Sequence, residues 1–449
     1  MRTRMCFDDV AWERSEAIQE AWIHTLFKKE TLMDIGRFIL KHRSGKAIEL
    51  CDPKAGGFNM SFRMKYEDGG SAMIRFPNPG TTMFPEEKVR REVDIMRYLY
   101  QHTTIPMPFI LHWGTNEETP LALGPFIIME YIDHAMDLGD ALNTPELTIK
   151  HRLILDPNID GPRLELLYRQ FAGILIQLSK LQLPMIGSLV QIDDFTWDVG
   201  QRPLSYNSNK LVRLGTLPRS ELPEMNETFQ SASSYFSRLA DLHIDHLIHQ
   251  RNDAVDSADD RRRRYVARLM FRKLAREGRF TSSCTDLGPF NICCDDLRPS
   301  NILINDDLQI VGVVDWEFTY AAPVEFSHAP PWWLLLEQLE YWPDGIVAWT
   351  EVYELHLKTF LSVLREQESV AIDRGILKDE QRLSGPMQQS WESGDFLVVY
   401  AARKSFAFDA VFWKKIDGRF FGPGTSSEDD RWKERLDILT DDKKQTWKR

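Results

Sequence analysis

The stretch Asp296-Leu297-Arg298-Pro299-Ser300-Asn301-Ile302-Leu303-Ile304, continued by Val313-Val314-Asp315, decides how this chain is read. An acid and an amide stand five residues apart in a loop that feeds an apolar run. Asn305-Asp306-Asp307 gives a turn, and the next run, Ile310 to Val314, ends on a second acid. Two short strands joined by a turn predict a hairpin, which brings Asn301 and Asp315 together. One carboxylate and one amide oxygen, with room for water and phosphate, suit Mg²⁺. Asp296 precedes the hairpin and is left to orient a hydroxyl or accept its proton.

Upstream, Phe58, Met60, Phe62, Met64 and Tyr66 alternate with Asn59, Ser61, Arg63 and Lys65. Period two predicts a half-buried strand. Glu67-Asp68-Gly69-Gly70 reads as a turn, and Ala72 to Phe76, carrying Arg75, as the second strand of a hairpin. Gly56-Gly57 stands just before it, where backbone can approach a ligand closely. Glu86 to Tyr100 returns to helical spacing: Val89, Val93, Met96 and Tyr100 form one stripe, with Glu92 at its edge. Thr104-Ile105-Pro106-Met107-Pro108 stops that helix. Phe126 to Ile132 reads as a buried strand, and polar Asp133 to Asp140 as a connector.

The remainder reads mostly as helix. Residues 12–40 have mixed helical spacing. Leu164, Leu167, Phe171, Ile174, Leu175, Leu178 and Leu181 stripe a buried helix. Asp259 to Arg279 is a charged helix whose Arg261 to Arg264 run reads as a solvated face with acidic neighbours. Trp332, Trp333, Trp342 and Trp349 mark an aromatic-rich region of helix and loop, and residues from Ser426 onward read as solvated charge.

Composition bounds the function. The 449 residues are 43% apolar and 27% charged, enough for a substantial core. Lys and Arg number 55 against 67 Asp and Glu, a net charge of −12, which argues against a nucleic-acid or anionic-membrane binder. No apolar run reaches spanning length, and the N-terminus has no apolar signal core. The five cysteines are sparse and without paired C-x-x-C spacing, so neither a disulfide framework nor a zinc site is expected, and a reducing, cytoplasmic setting is. His243, His246 and His249 recur every third residue and walk around a helix, so only neighbours share a face and no metal site is expected. No G-x-S-x-G, H-E-x-x-H or G-x-x-x-x-G-K-[ST] motif occurs.

The D-x-x-x-x-N spacing followed by an acid after an apolar strand resembles the catalytic loop and metal segment of the protein-kinase-like fold. The upstream elements follow in the same order. Leu297-Arg298-Pro299, the Trp316-Glu317 pair after Asp315 in place of Phe-Gly, and the absence of an A-P-E-like segment resemble the aminoglycoside phosphotransferase branch rather than protein kinases. Gly124-Pro125-Phe126-Ile127 and Val314-Asp315-Trp316-Glu317-Phe318-Thr319-Tyr320 resemble a fungal phosphotransferase-like group of that family. The resemblance implies an α+β, bilobal fold: a helical extension over 1–47, a nucleotide-binding N-lobe over 48–135, a mostly helical C-lobe over 136–425 and a charged tail over 426–449. It implies a kinase using ATP and Mg²⁺ on a small-molecule hydroxyl acceptor, with no nucleic acid or membrane partner. Residue by residue, it makes Asp296 the catalytic acid–base group and Asn301 and Asp315 the Mg²⁺ ligands. Glu92 becomes the helix acid that pairs with Arg75, Gly56 and Gly57 the loop over the ATP phosphates, and Met129, Glu130, Tyr131 and Ile132 the hinge at adenine.

Two departures bear on activity. Arg75 stands where the family usually has Lys; it keeps the charge but has a larger, forked head. Cys294 stands where a loop-bracing His is usual, and a thiol is a weak hydrogen-bonding group. Asp295 also places a like charge beside Asp296, which is expected to raise the Asp296 pKa. These departures motivate an alternative: a nucleotide-binding pseudokinase with a scaffold or regulatory role.

Overall fold

The computed structural model describes residues 9–145, 147, 151–251, 255–427 and 429–439. The single helix expected over 12–40 is two: α1 (Asp9–Leu26) and α2 (Lys29–His42). Lys28 is extended, with φ −68° and ψ 138°. That break lets α2 bury Ile35, Phe38 and Ile39 while α1 lies elsewhere on the same lobe. Trp22 of α1 packs edge-on to Phe76 at 6.5 Å and donates its indole N–H to the Leu123 carbonyl at 2.8 Å.

The period-two segment builds the N-lobe sheet. β1 (Ala47–Leu50), β2 (Lys54–Ala55), β3 (Asn59–Tyr66) and β4 (Ser71–Pro77) precede α3 (Pro85–His102). β5 (Ile110–Gly114) and β6 (Phe126–Glu130) complete an antiparallel sheet of order β1-β3-β4-β6-β5, with β2 added against β3. Arg75 sits on the central strand β4, paired with Ser61 on one side and Ile127 on the other. Phe62, Ile74, Phe76, Phe126 and Ile128 are fully buried against α2 residues on one face. Val89 and Val93 of α3 pack with Ile127 and Met129 on the other. Tyr100, expected in the α3 stripe, is exposed and lies edge-on to Phe109 at 5.9 Å.

The chain then crosses through β7 (Met136–Asp137) and the short α4 (Leu138–Leu142) into the C-lobe. Asp137 caps α4 by accepting the Asp140 N–H at 2.9 Å. The C-lobe core gathers α5 (Gly161–Ser179), β8 (Gln182–Leu183), β9 (Ser188–Gln191), β10 (Trp197–Gln201), α6 (Tyr206–Arg213), α7 (Ala232–His249) and α8 (Ala258–Arg276). Within the Arg run of α8, Arg262 pairs with Asp259 and Arg264 with Asp260, each at 2.8 Å, as a face with acidic neighbours should.

β11 (Phe290–Cys294) runs between β8 and β14 (Thr319–Ala322), while β12 (Ile302–Ile304) and β13 (Ile310–Val313) form the expected hairpin, edged by β7. α9 (Val324–His328), α10 (Gly345–Asp373), α11 (Ser384–Ser393) and α12 (Asp395–Arg403) follow. The charge after Ser426 is not all solvated. Trp432, Arg435 and Leu439 are buried, and Arg435 holds Asp417 through two bonds of 2.8 and 3.0 Å. Charge density hid an amphipathic docking segment there; residues 440–449 lie outside the described residues. Among the described residues no helix is long and apolar enough to cross a membrane.

Candidate active site

Asp296 and Asn301 come together because the loop after β11 closes on itself. The Asn301 side-chain N–H donates to the Asp296 backbone carbonyl at 2.8 Å and to its Oδ2 at 3.2 Å. With its amide nitrogen spent on Asp296, Asn301 keeps Oδ1 for a cation. The Trp333 indole N–H donates to the Leu297 carbonyl at 3.0 Å and braces the loop. Across the hairpin, Ile302 pairs with Val313, and the Val314 N–H donates to the Asn301 carbonyl at 2.9 Å. That register sets Asp315 beside Asn301. Asp315 has φ +57° and Phe318 +58°. Non-glycine residues pay to sit there, and such strain gathers at functional sites.

The N-lobe meets this loop through charge. Arg75 forms ion pairs with both Glu92, which is 1% exposed, and Asp315. Burial works against the Arg75 charge, but Glu92 and Asp315 outweigh it and hold its pKa above the ordinary value. Burial raises Glu92, against the pull of Arg75 and Lys88, and likewise raises Asp315 against the pull of Arg75. The expected helix acid–strand cation pair is therefore present, with Arg75 also reaching the expected metal ligand.

A second buried tie was not foreseen. Lys88 forms an ion pair with Glu317 and donates to Asn59 Oδ1 at 2.7 Å, while the Asn59 amide donates to Glu317 Oε2 at 3.0 Å. Lys88 lies one turn before Glu92 on the same face of α3, and Glu317 two residues after Asp315. That spacing was the available signal.

Asp296 is 8% exposed, and its pKa is pushed up to about 6, first by burial, then by Glu317 and Asp315, against Arg298. Arg298 Nε lies 3.1 Å from Asp296 Oδ1. The role given to Asp295 is corrected: its carboxylate turns away from Asp296. It accepts from Arg403 at 2.6 Å, from the Tyr206 backbone N–H at 3.1 Å and from the Tyr320 hydroxyl at 3.3 Å. The chain turns at Asp295-Asp296 directly after β11, and the three donors on Asp295 fix its carboxylate on the Arg403 side. Cys294, in place of the bracing His, donates weakly to the Glu317 carbonyl at 3.7 Å.

Gly56 and Gly57 form the turn between β2 and β3, with the Gly56 N–H donating to the Asn59 carbonyl at 2.8 Å. A Cβ on Gly57 would meet nothing within 4 Å, so the space beside it is open to a ligand. Phe58 follows and packs edge-on against Tyr206 at 5.4 Å and Phe318 at 5.5 Å, joining this turn to the C-lobe. Of the residues expected at adenine, two use their backbone N–H within the lobe. The Glu130 N–H is spent on the Phe109 carbonyl at 2.9 Å and the Tyr131 N–H on Ser71 at 3.1 Å. Met129 lies within β6. The Ile132 N–H takes no partner among the described residues.

The donor chemistry fits Mg²⁺. Four acids, Glu92, Asp296, Asp315 and Glu317, gather around Arg75, Lys88 and Arg298. The formal balance is one negative charge, and Asn301 and Asp315 offer an amide and a carboxylate oxygen of the kind Mg²⁺ takes. The histidines of α7 make local contacts. His243 contacts the Ser405 hydroxyl at 3.1 Å through Nδ1, and His249 Nδ1 contacts the Asp245 carbonyl at 2.8 Å. No group of three or more metal-ligating residues occurs among the described residues.

A two-lobed kinase-like fold with this loop and hairpin defines a phosphotransferase. The sequence model of the phosphotransferase enzyme family matches residues 53–326, more than half of the chain, and the protein belongs to that family. Among solved structures, one similar chain is a thermostable mutant of an aminoglycoside phosphotransferase in complex with AMP-PNP and hygromycin B. It is 15% identical, with 84% of this chain and 98% of that one covered, at a TM-score of 0.42. Another is an ethanolamine kinase of Plasmodium vivax, 13% identical, with 94% and 93% covered, at a TM-score of 0.44. No curated protein matches significantly.

Proposed function

We propose that this phosphotransferase moves the γ-phosphate of ATP to a hydroxyl of a small molecule. The observation that carries the proposal is convergence: Asp296, Asn301 and Asp315 from one loop and hairpin meet the Arg75–Glu92 pair from the other lobe. Asp296 orients the acceptor hydroxyl and takes its proton; a pKa near 6 suits a base working close to neutral pH. Asn301 and Asp315 would hold Mg²⁺, which when bound neutralises charge on the phosphates. Arg75, held by Glu92, would supply positive charge beside the phosphates. The Gly56-Gly57 turn would lie over the phosphates, and the Ile132 backbone beside adenine. Phosphoryl transfer then needs positioning and charge neutralisation more than covalent work. Incubation with γ-labelled ATP, Mg²⁺ and a metabolite extract should yield labelled products. Absence of both labelled products and ATP hydrolysis would refute the proposal.

The Arg75–Asp315 contact favours a second reading, a nucleotide-binding pseudokinase, because a protein cation sits on the metal ligand. Stabilisation by ATP without turnover, with turnover appearing in Arg75→Lys/Cys294→His, would establish it.

A further inference from the structure

Beside Asp296 lies a pocket that the nucleotide does not explain. It encloses about 70 Å³ between α6, the end of α12 and the turn at Leu339–Tyr341. Lys210, Lys404 and Arg403 line it, with Glu340, Trp332 and Tyr400. Their charges do not cancel. Asp295 already neutralises Arg403 at 2.6 Å. Glu340 alone faces both lysines, and it also accepts the Tyr400 hydroxyl at 2.6 Å. Lys404 has a neutral partner, Gln338 Oε1, at 3.3 Å. The ammonium groups lie over aromatic walls rather than carboxylates: Lys210 is 4.8 Å from the Phe406 ring, and Lys404 is 4.7 Å from that of Trp332.

The two amines repel one another in a desolvated place. Burial and then Lys404 lower Lys210 to about 8. Burial also lowers Lys404 despite Glu340. Lys210 and Lys404 are half-buried. Asp295 and Asp296 also act on Lys404 but are paired with Arg403 and Arg298, so Glu340 is the carboxylate the two amines share, and a bound anion makes up the balance. The position is that of a substrate: Tyr206, on the pocket wall, and Lys404 both feel the Asp296 charge. The volume has room for one carboxylate or phosphate group.

We propose that this pocket seats an anionic group of the phosphate acceptor, so that the acceptor is a hydroxylated carboxylate or phosphate ester rather than a hydroxylated amine. The proposal rests on the phosphotransferase reading above. The test is calorimetric titration of the full chain, loaded with AMP-PNP and Mg²⁺, with D-gluconate, glycerol 3-phosphate, glycerol and ethanolamine. At least one of the two anions should bind, which also tells carboxylate from phosphate, while glycerol and ethanolamine do not. Lys210→Gln/Lys404→Gln should weaken anion binding about tenfold or more with AMP-PNP binding kept. The single variants serve where the double variant does not fold. Ethanolamine binding as tightly as the anions, or no anion binding by a protein that takes AMP-PNP, overturns the acceptor class and leaves the nucleotide site standing. Loss of AMP-PNP binding in the lysine variants overturns it too, since the seat would then belong to the nucleotide. No AMP-PNP binding by the unaltered protein defeats the phosphotransferase reading, and the acceptor class falls with it.

Discussion

Arg75 is where single-residue chemistry weighs most. Its guanidinium is buried between Glu92 and Asp315, so truncation strands Glu92 without its partner. Arg75→Met should therefore cost roughly 3–5 kcal/mol of stability, measurable by urea denaturation. Asp296 gives a signed prediction. Its folded pKa of about 6 lies above the ordinary 3.8, so its ionised form costs stability above pH 6 and the cost fades as pH falls toward 4. Asp296→Asn should accordingly be more stable than the unaltered protein at pH 7, by up to roughly 3 kcal/mol, with the gain gone near pH 4. An equal gain at both pH values would contradict the burial argument. The sequence showed Asp296, Asn301 and Asp315 because their spacing is local to one loop and one hairpin. It misplaced Asp295 because adjacency in sequence is not adjacency of side chains. Lys210 and Lys404 carry no local signal, since one belongs to α6 and the other follows α12.

At the scale of elements, α3 is the part that couples the lobes. One face sends Glu92 to Arg75, and one turn earlier Lys88 reaches Glu317 beyond the β12–β13 hairpin. Glu317→Gln leaves the Lys88 ammonium buried beside an amide and should cost roughly 3–5 kcal/mol, whereas Lys88→Met/Glu317→Leu should recover most of that loss. A double-mutant cycle by chemical denaturation reads the coupling; additivity would deny it. The strands and α3 were legible from period two and period 3.6, because each buries one face. The break at Phe27-Lys28 was not, because it comes from docking. Gly80, at φ +84°, shows how tight that docking is: its carbonyl accepts from the Ser15 hydroxyl of α1, and a Cβ there would collide with the Ser15 backbone. Gly80→Ala should loosen α1, seen as faster amide exchange over 10–26 with α5 unchanged.

For the whole molecule, the two lobes close on a shared set of charges, and the proposed function assigns the metal to one of them. Asp315 ends the hairpin and faces Arg75, while Asp296 faces Arg298 at 3.1 Å and, in the proposed function, the acceptor. Metal binding and proton acceptance thus fall to different acids, which a merely structural charge cluster would not require. The most direct measurement is calorimetric titration of AMP-PNP, with and without Mg²⁺, into the unaltered protein, Asp315→Ala and Asp296→Asn. The prediction is that Mg²⁺ strengthens AMP-PNP binding to the unaltered protein and to Asp296→Asn alike, and that Asp315→Ala loses that strengthening. Equal loss in both variants, or AMP-PNP binding to the unaltered protein that ignores Mg²⁺, would contradict it.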